Sequence, residues 1–149
     1  MTEEQVTKFF LKILIENNWE IISYDFPQSG TGRLLHPDDN LEEDVPSINP
    51  DIVAYKDYVC LFFENKDRYY LDDFKKINIL RTRNYYDCAI KKLLNGRKVN
   101  DFYFGIGLPS AKYKNSARIN SFLVDFVFGV SESFDLVDLY NPLFLKLKS

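Results

Sequence analysis

Apolar residues recur at helical spacing at the start of the chain. Val6, Phe10 and Ile13 lie three or four residues apart, so residues 2–17 are predicted to form an amphipathic helix. Thr2 is its expected N-cap, because Gln5 follows three residues later and can complete a capping box. The next segment, WEIISYDF, predicts a strand.

Two apolar, β-branched runs make up the segment NPDIVAYKDYVCLFFENK, residues 49–66, with a short polar break between them. The pattern predicts a β-hairpin whose two-residue turn is Asp57-Tyr58. In that register Asp51 lies opposite Glu64 at the open end of the hairpin. A register shifted by one residue stays open, because the turn is not the Asn-Gly type that fixes pairing most strongly.

The remaining segments complete one α/β domain over residues 1–149, a mixed sheet flanked by helices. A helical pattern broken by weak helix formers covers most of the region after the hairpin. The predicted elements are a long loop at 27–47, helix at 69–96, a strand at 101–108, a basic loop at 109–121, and strands at 122–130 and 134–140.

Composition narrows the class of protein. With 149 residues and 46% hydrophobic residues, the chain can bury a full globular core. No apolar run is long enough to cross a bilayer, and acids rather than basic residues follow Met1, so a cytoplasmic protein without a signal peptide or membrane partner is expected. Cys60 and Cys88 are predicted to be buried thiols in a reducing compartment. Because the chain has one histidine, His36, a zinc site or a Cys–His nucleophile pair is not expected.

The net charge of −3 is unevenly distributed. Residues 1–51 hold eleven acidic and three basic side chains, which leaves the rest of the chain with a net charge of +5. Part of the acidity lies in the run HPDDNLEED, interpreted as a solvated loop. Basic residues are the candidates for contact with DNA phosphates, and solvated surface positions are their alternative interpretation. These candidates are Arg33, Lys75, Lys76, Arg81, Arg83, Lys112, Lys114 and Arg118.

Three ionisable residues stand at the open end of the predicted hairpin. Asp51, Glu64 and Lys66 share one face in the predicted register. Two carboxylates that face each other repel unless a cation lies between them, and carboxylate oxygens suit Mg²⁺ or Mn²⁺. The carbonyl of Asn65 is a further candidate ligand, and Lys66 is placed to orient or deprotonate a water or to neutralise developing charge. The alternative is a cross-strand salt-bridge cluster, which would add only about 0–1 kcal/mol per pair.

The residues Pro50-Asp51 and Glu64-Asn65-Lys66, on successive strands, resemble the motif of the PD-(D/E)xK nuclease superfamily. The resemblance covers residues 2–108 and implies a restriction-endonuclease-like fold with an α-β-β-β-α-β core. It further implies Asp51, Glu64 and Asn65 as metal ligands and Lys66 as a catalytic residue. The family often adds an acid from the first helix, for which Glu3 is preferred over Glu4 because it lies on the inward stripe of the helix. The alternative for either residue is a solvated acid that interacts favourably with the helix dipole.

The function implied is a Mg²⁺- or Mn²⁺-dependent DNA endonuclease that hydrolyses phosphodiester bonds, in restriction or defence. Cutting both strands would require two active sites, so a homodimer is expected. Two alternatives stay open. One is a nuclease of the same fold that resolves or repairs branched DNA. The other is a non-catalytic subunit that binds DNA or a partner protein.

Overall fold

The computed structural model describes residues 1–26, 30–39 and 44–148. Its centre is an open six-stranded mixed sheet in which the strands follow one another in chain order. The strands are β1 (Glu20–Tyr24), β2 (Ile52–Lys56), β3 (Val59–Asn65), β4 (Asp101–Pro109), β5 (Phe126–Val130) and β6 (Leu136–Tyr140). The β3–β4 and β4–β5 pairs are parallel and the other pairs are antiparallel.

Four helices connect and cover the sheet: α1 (Glu3–Glu16), α2 (Leu71–Thr82), α3 (Asp87–Leu94) and α4 (Ser110–Ile119). The predicted first helix is confirmed, and the capping box of Thr2 and Gln5 is present. Two adjacent strands that run parallel must be joined by a long connection that crosses over the sheet. Accordingly, α2 and α3 lie between β3 and β4 in the chain, and α4 lies between β4 and β5.

Separate hydrophobic cores cover the two faces of the sheet. Phe10 and Leu14 of α1 pack with Phe63 of β3 on one face. The helices after β3 cover the other face, where Phe74 of α2 packs with Phe62. Because both faces of the central strand are buried, β3 has a continuous apolar sequence instead of an alternating one.

The hairpin of β2 and β3 confirms the predicted register. Val53 pairs with Phe62, and the two-residue turn is formed by Asp57 and Tyr58. Both turn residues have positive φ, 49° and 66°, which matches the twist of a tight two-residue hairpin. The regular ladder ends at Ile52.

Residues 109–121 were predicted to form a loop, and this prediction was wrong, because α4 occupies most of that segment. The helix is stabilised by burial that a single sequence does not reveal: Ala117 is fully buried and Tyr113 packs against the same core. Alanine, lysine and arginine in the segment also favour a helix. The following strand consequently begins at Phe126 instead of residue 122, after a short 3₁₀ turn.

Two further predictions are settled by burial and helix bounds. Cys60 is buried as predicted, but Cys88 is exposed because it lies on the solvent side of α3. The expected break in the long helical region lies between Thr82 and Asp87.

Within the predicted long loop, Leu35 forms an isolated antiparallel bridge with Ile48. Residues 27–29 and 40–43, which include part of the acidic run, lie outside the described residues.

No helix within residues 1–26, 30–39 and 44–148 has the length and apolar character needed to span a membrane.

Candidate active site

The candidate residues meet at the carboxyl end of β3. Glu64 and Asn65 are the last two residues of that strand, and Asp51 directly precedes β2. The main-chain N–H of Lys66 donates to the carbonyl of Gly107 at 2.9 Å, which continues the pairing with β4 beyond the strand end. The amino-terminal turns of α1 and α2 approach the same edge and contribute acidic residues to it.

The ammonium group of Lys66 is surrounded by carboxylates. Its Nζ lies 3.2 Å from Glu3 Oε1, 3.5 Å from Glu64 Oε1 and 3.9 Å from Asp73 Oδ1. Burial disfavours the charged form of the amine, but the attraction of Glu64, Asp73 and Glu3 outweighs it, so the pKa of Lys66 lies above its ordinary value. Lys66 therefore remains an ammonium ion at neutral pH.

The structure brings Glu3 and not Glu4 to this cluster. Glu4 pairs with Lys8 at 2.9 Å on the outer surface of α1, where both side chains are well exposed. Glu3 lies on the turn that faces the end of β3, and its carboxylate reaches Lys66. Of the two acids in the first turn of α1, Glu3 is therefore the one that contacts Lys66.

Glu64 accepts two cations on one oxygen. Lys66 Nζ and Lys76 Nζ lie 3.5 Å and 3.4 Å from Glu64 Oε1. The Glu64 side chain is only 8% exposed, so its negative charge is largely removed from water. Pairing with ammonium groups compensates a buried carboxylate that would otherwise be costly.

Asp51 is held close to this buried charge. Its Oδ2 accepts a hydrogen bond from the main-chain N–H of Asn65 at 2.6 Å. Its own N–H donates to the carbonyl of Phe63 at 3.0 Å. Burial, followed by repulsion from Glu64, raises the pKa of Asp51 to about 8, although the Asn65 bond and Lys66 oppose the rise. Asp51 is thus kept beside Glu64 in a place where the ionisation of Asp51 is unfavourable.

Asn65 joins the strand end to α1. Its Nδ2 donates to Thr7 Oγ1 at 3.2 Å, and both side chains are buried. A Cβ on the neighbouring Gly107 would lie 2.4 Å from Asn65 Oδ1, so only glycine leaves room for the amide. This packing fixes the backbone from Asn65 to Lys66, and with it the direction in which Lys66 leaves the strand.

Asp73 and the position of Lys76 were missed in the sequence. Asp73 was not proposed as a site residue, and Lys76 was considered only for contact with DNA. Burial raises the pKa of Asp73, and its buried Oδ2 has no hydrogen-bond partner within the described part of the chain. A signal was available, because a helix that follows a buried strand starts near the carboxyl end of that strand. The first turns of α2 therefore had to lie near Glu64.

The other candidates for contact with DNA are distributed over three surfaces. The guanidinium of Arg81 already has partners within the protein: it pairs with Asp125 at 3.2 Å and donates to the carbonyl of Phe122 at 3.0 Å. It ties α2 to the 3₁₀ turn and is a poor candidate for a mobile phosphate contact. The remaining candidates are exposed and lie in the long loop, on α2, after α2 or on α4: Arg33, Lys75, Arg83, Lys112, Lys114 and Arg118.

The donor set of the site is compatible with a hydrated divalent ion. In the residues that the structure describes, no three or more histidine, cysteine, aspartate or glutamate side chains form a group that could hold a metal ion. Mg²⁺, however, usually keeps several waters and needs only one or two protein carboxylates. Four carboxyl groups and two ammonium groups lie together here, and the buried Asp73 Oδ2 has no hydrogen-bond partner among the described residues.

No family model matches the chain, and searches of the curated proteins and of the solved structures gave no significant match. The chemistry of the site therefore rests on the geometry of this chain.

Proposed function

We propose that this chain is a metal-dependent DNA endonuclease with a restriction-endonuclease-like fold, which hydrolyses phosphodiester bonds with Mg²⁺ or Mn²⁺. One observation carries the proposal: the Lys66 ammonium lies within 3.5 Å of both Glu3 and Glu64 at the end of a central strand, and the N–H of the adjacent Asn65 donates to Asp51 at 2.6 Å. The element order supports the fold, since α1, three antiparallel strands, the two helices α2 and α3, and the parallel strand β4 follow one another.

Asp51 and Glu64 would hold the ion, with the main-chain carbonyl of Asn65 as a further oxygen ligand. When bound, the ion would polarise a phosphoryl oxygen and make a bound water more acidic. Lys66 would orient the attacking water or take its proton, and would stabilise negative charge on the phosphate. Glu3 positions the Lys66 ammonium through their contact at 3.2 Å.

A purely structural salt-bridge cluster explains the same residues less well. Such a cluster stabilises a fold when opposite charges balance, whereas Asp51 is placed where burial and repulsion from Glu64 make its ionisation unfavourable. Arrangements that push the pKa of a carboxyl group upward in a polar cluster are typical of functional sites. Because residues 1–26, 30–39 and 44–148 contain one such cluster, cleavage of both DNA strands would use a homodimer.

The proposal is tested by plasmid nicking together with calorimetric titration of Mg²⁺ and Mn²⁺. Asp51→Ala and Glu64→Ala should lower the nicking rate by at least about 10²–10³-fold and weaken metal binding. Lys66→Ala should lower the rate to a similar degree but leave metal affinity much less affected. Asp67→Ala is the matched control, because Asp67 adjoins Lys66 yet pairs only with Arg68 among the ion pairs of the described residues.

Nicking that survives in both Asp51→Ala and Glu64→Ala would contradict the assignment. Loss of activity in Asp67→Ala as well would point to general damage of the loop. If the wild-type chain binds metal but does not nick plasmid DNA, the proposed substrate is wrong.

A further inference from the structure

Two lysines share one oxygen of Glu64, but they are not equivalent. Lys66 is surrounded by three carboxylates and its side chain is 23% exposed. Lys76 extends from the second turn of α2, is 45% exposed, and makes its one ion pair among the described residues with Glu64 at 3.4 Å. Lys66 therefore forms the interior of the cluster, and Lys76 forms its solvent-facing rim.

Neutralising Glu64 does not by itself require Lys76. Lys66 already provides a cation at 3.5 Å from the same oxygen. Lysine side chains on a solvated helix normally extend into water, because holding them in one place costs side-chain entropy. Lys75, the preceding residue on α2, is exposed and forms no ion pair within the described ranges. Lys76 is instead held over the site, with about half of its surface open to an incoming anion.

We propose that Lys76 is a phosphate-binding residue of the site, whose ammonium group contacts a DNA phosphate at or beside the bond that is cut. The inference rests on the proposed nuclease function and extends it, because it assigns a residue of α2 to the substrate. A compact ammonium group at the rim can pass from Glu64 to a phosphate oxygen with little movement. Glu64 would keep Lys66 as its partner.

The test compares Lys76→Met, Lys76→Arg and the control Lys91→Met, which removes the same charge from an exposed position on α3 that is not a candidate for contact with DNA. Binding to a fluorescein-labelled DNA duplex of about 30 base pairs is measured in EDTA over a series of KCl concentrations. Single-turnover cleavage of supercoiled plasmid is then measured with Mg²⁺ and Mn²⁺. Urea unfolding of each variant shows whether its stability matches that of the wild type.

The expected result is that Lys76→Met weakens binding in EDTA and reduces the slope of log K against log [KCl] by about 1. Its cleavage rate should fall by about 10²-fold. Lys76→Arg should recover most of the binding and part of the cleavage, and Lys91→Met should resemble the wild type in both assays.

Equal behaviour of Lys76→Met and Lys91→Met would overturn the inference. So would loss of cleavage with an unchanged salt slope, because Lys76 would then act only through Glu64. A failure of the nuclease proposal is distinguishable: the wild type would not cleave, or Asp51→Ala would cleave as well as the wild type.

Discussion

Replacing Asp51 with asparagine should make the protein more stable while removing the carboxylate that the proposed function needs. Asparagine has nearly the same shape and its Oδ1 can accept the hydrogen bond from the Asn65 N–H, which Asp51 accepts at 2.6 Å. It cannot ionise, however. The variant therefore removes the unfavourable charge near Glu64 while leaving the packing in place.

The expected gain in the free energy of unfolding follows from the pKa of Asp51, which burial and Glu64 raise from 3.8 to about 8. One pKa unit corresponds to about 1.36 kcal/mol, so the upper limit of the penalty at pH 8 is about 5 kcal/mol. Rearrangement and water entry around the carboxylate reduce such penalties, and we expect a gain of about 2–3 kcal/mol. A typical domain has a free energy of unfolding of about 5–15 kcal/mol, so this gain would be large.

The effect of Asp51→Asn on the free energy of unfolding depends on pH, and the direction of this dependence is fixed by the raised pKa of Asp51. Below about pH 4 both the folded and the unfolded chain keep the Asp51 proton, so the variant gains nothing. Between about pH 4 and 8 the unfolded chain loses this proton first and binds fewer protons than the folded chain. The contribution of Asp51 to the free energy of unfolding therefore falls as pH rises, and the advantage of Asp51→Asn grows over the same interval.

The assay measures unfolding in urea, in the presence of EDTA, at pH 4.5 and pH 8. Unfolding is monitored by the fluorescence of Trp19, the one tryptophan of the chain, which is 9% exposed. Asp72→Asn is the control, because it removes an exposed carboxylate from the first turn of α2. The control should change stability little at either pH. A variant that is no more stable than the wild type at pH 8, or that gains equally at both pH values, would refute the electrostatic account of Asp51.

Two further substitutions test how the site is positioned. Gly107→Ala should lower the free energy of unfolding by about 1–3 kcal/mol in urea titrations, because the added Cβ would lie 2.4 Å from Asn65 Oδ1; unchanged stability would show that the close approach is relieved easily. Glu3→Gln should lower the nicking rate by about tenfold, because it weakens the 3.2 Å contact that holds Lys66. Glu4→Gln is its matched control on the outer surface of α1, and equal rates for the two variants would remove Glu3 from the site.

The hairpin and its charged end were predictable from sequence because their determinants are local. A two-residue turn fixes the register, so one correct turn at Asp57-Tyr58 brings Asp51 near Glu64. The preference for Glu3 was also local, since helical spacing alone separates the inward from the outward acid.

The helix, the site residues and the exposed cysteine that the sequence did not predict depend on tertiary packing. The helix α4 is polar in sequence, and its formation relies on burial of Ala117 against strands that are distant in the chain. Asp73 and Lys76 become site residues only through the direction in which α2 leaves β3. Cys88 was misassigned for a related reason, because the apolar face of a short helix depends on how the helix is rotated on the sheet.

The agreement between strand order in the sheet and strand order in the chain has a consequence for folding. No strand has to be inserted between two strands that are already paired, so the sheet can grow outward from the β2–β3 hairpin. Tight hairpins form in about 1–10 μs, whereas a crossover must first close a long loop. We therefore expect Asp51 and Glu64 to be brought together early, before α1 and α2 arrive with Glu3, Asp73 and Lys76. The repulsion between the two carboxylates would then slow the first step of assembly, and mild acid would speed it.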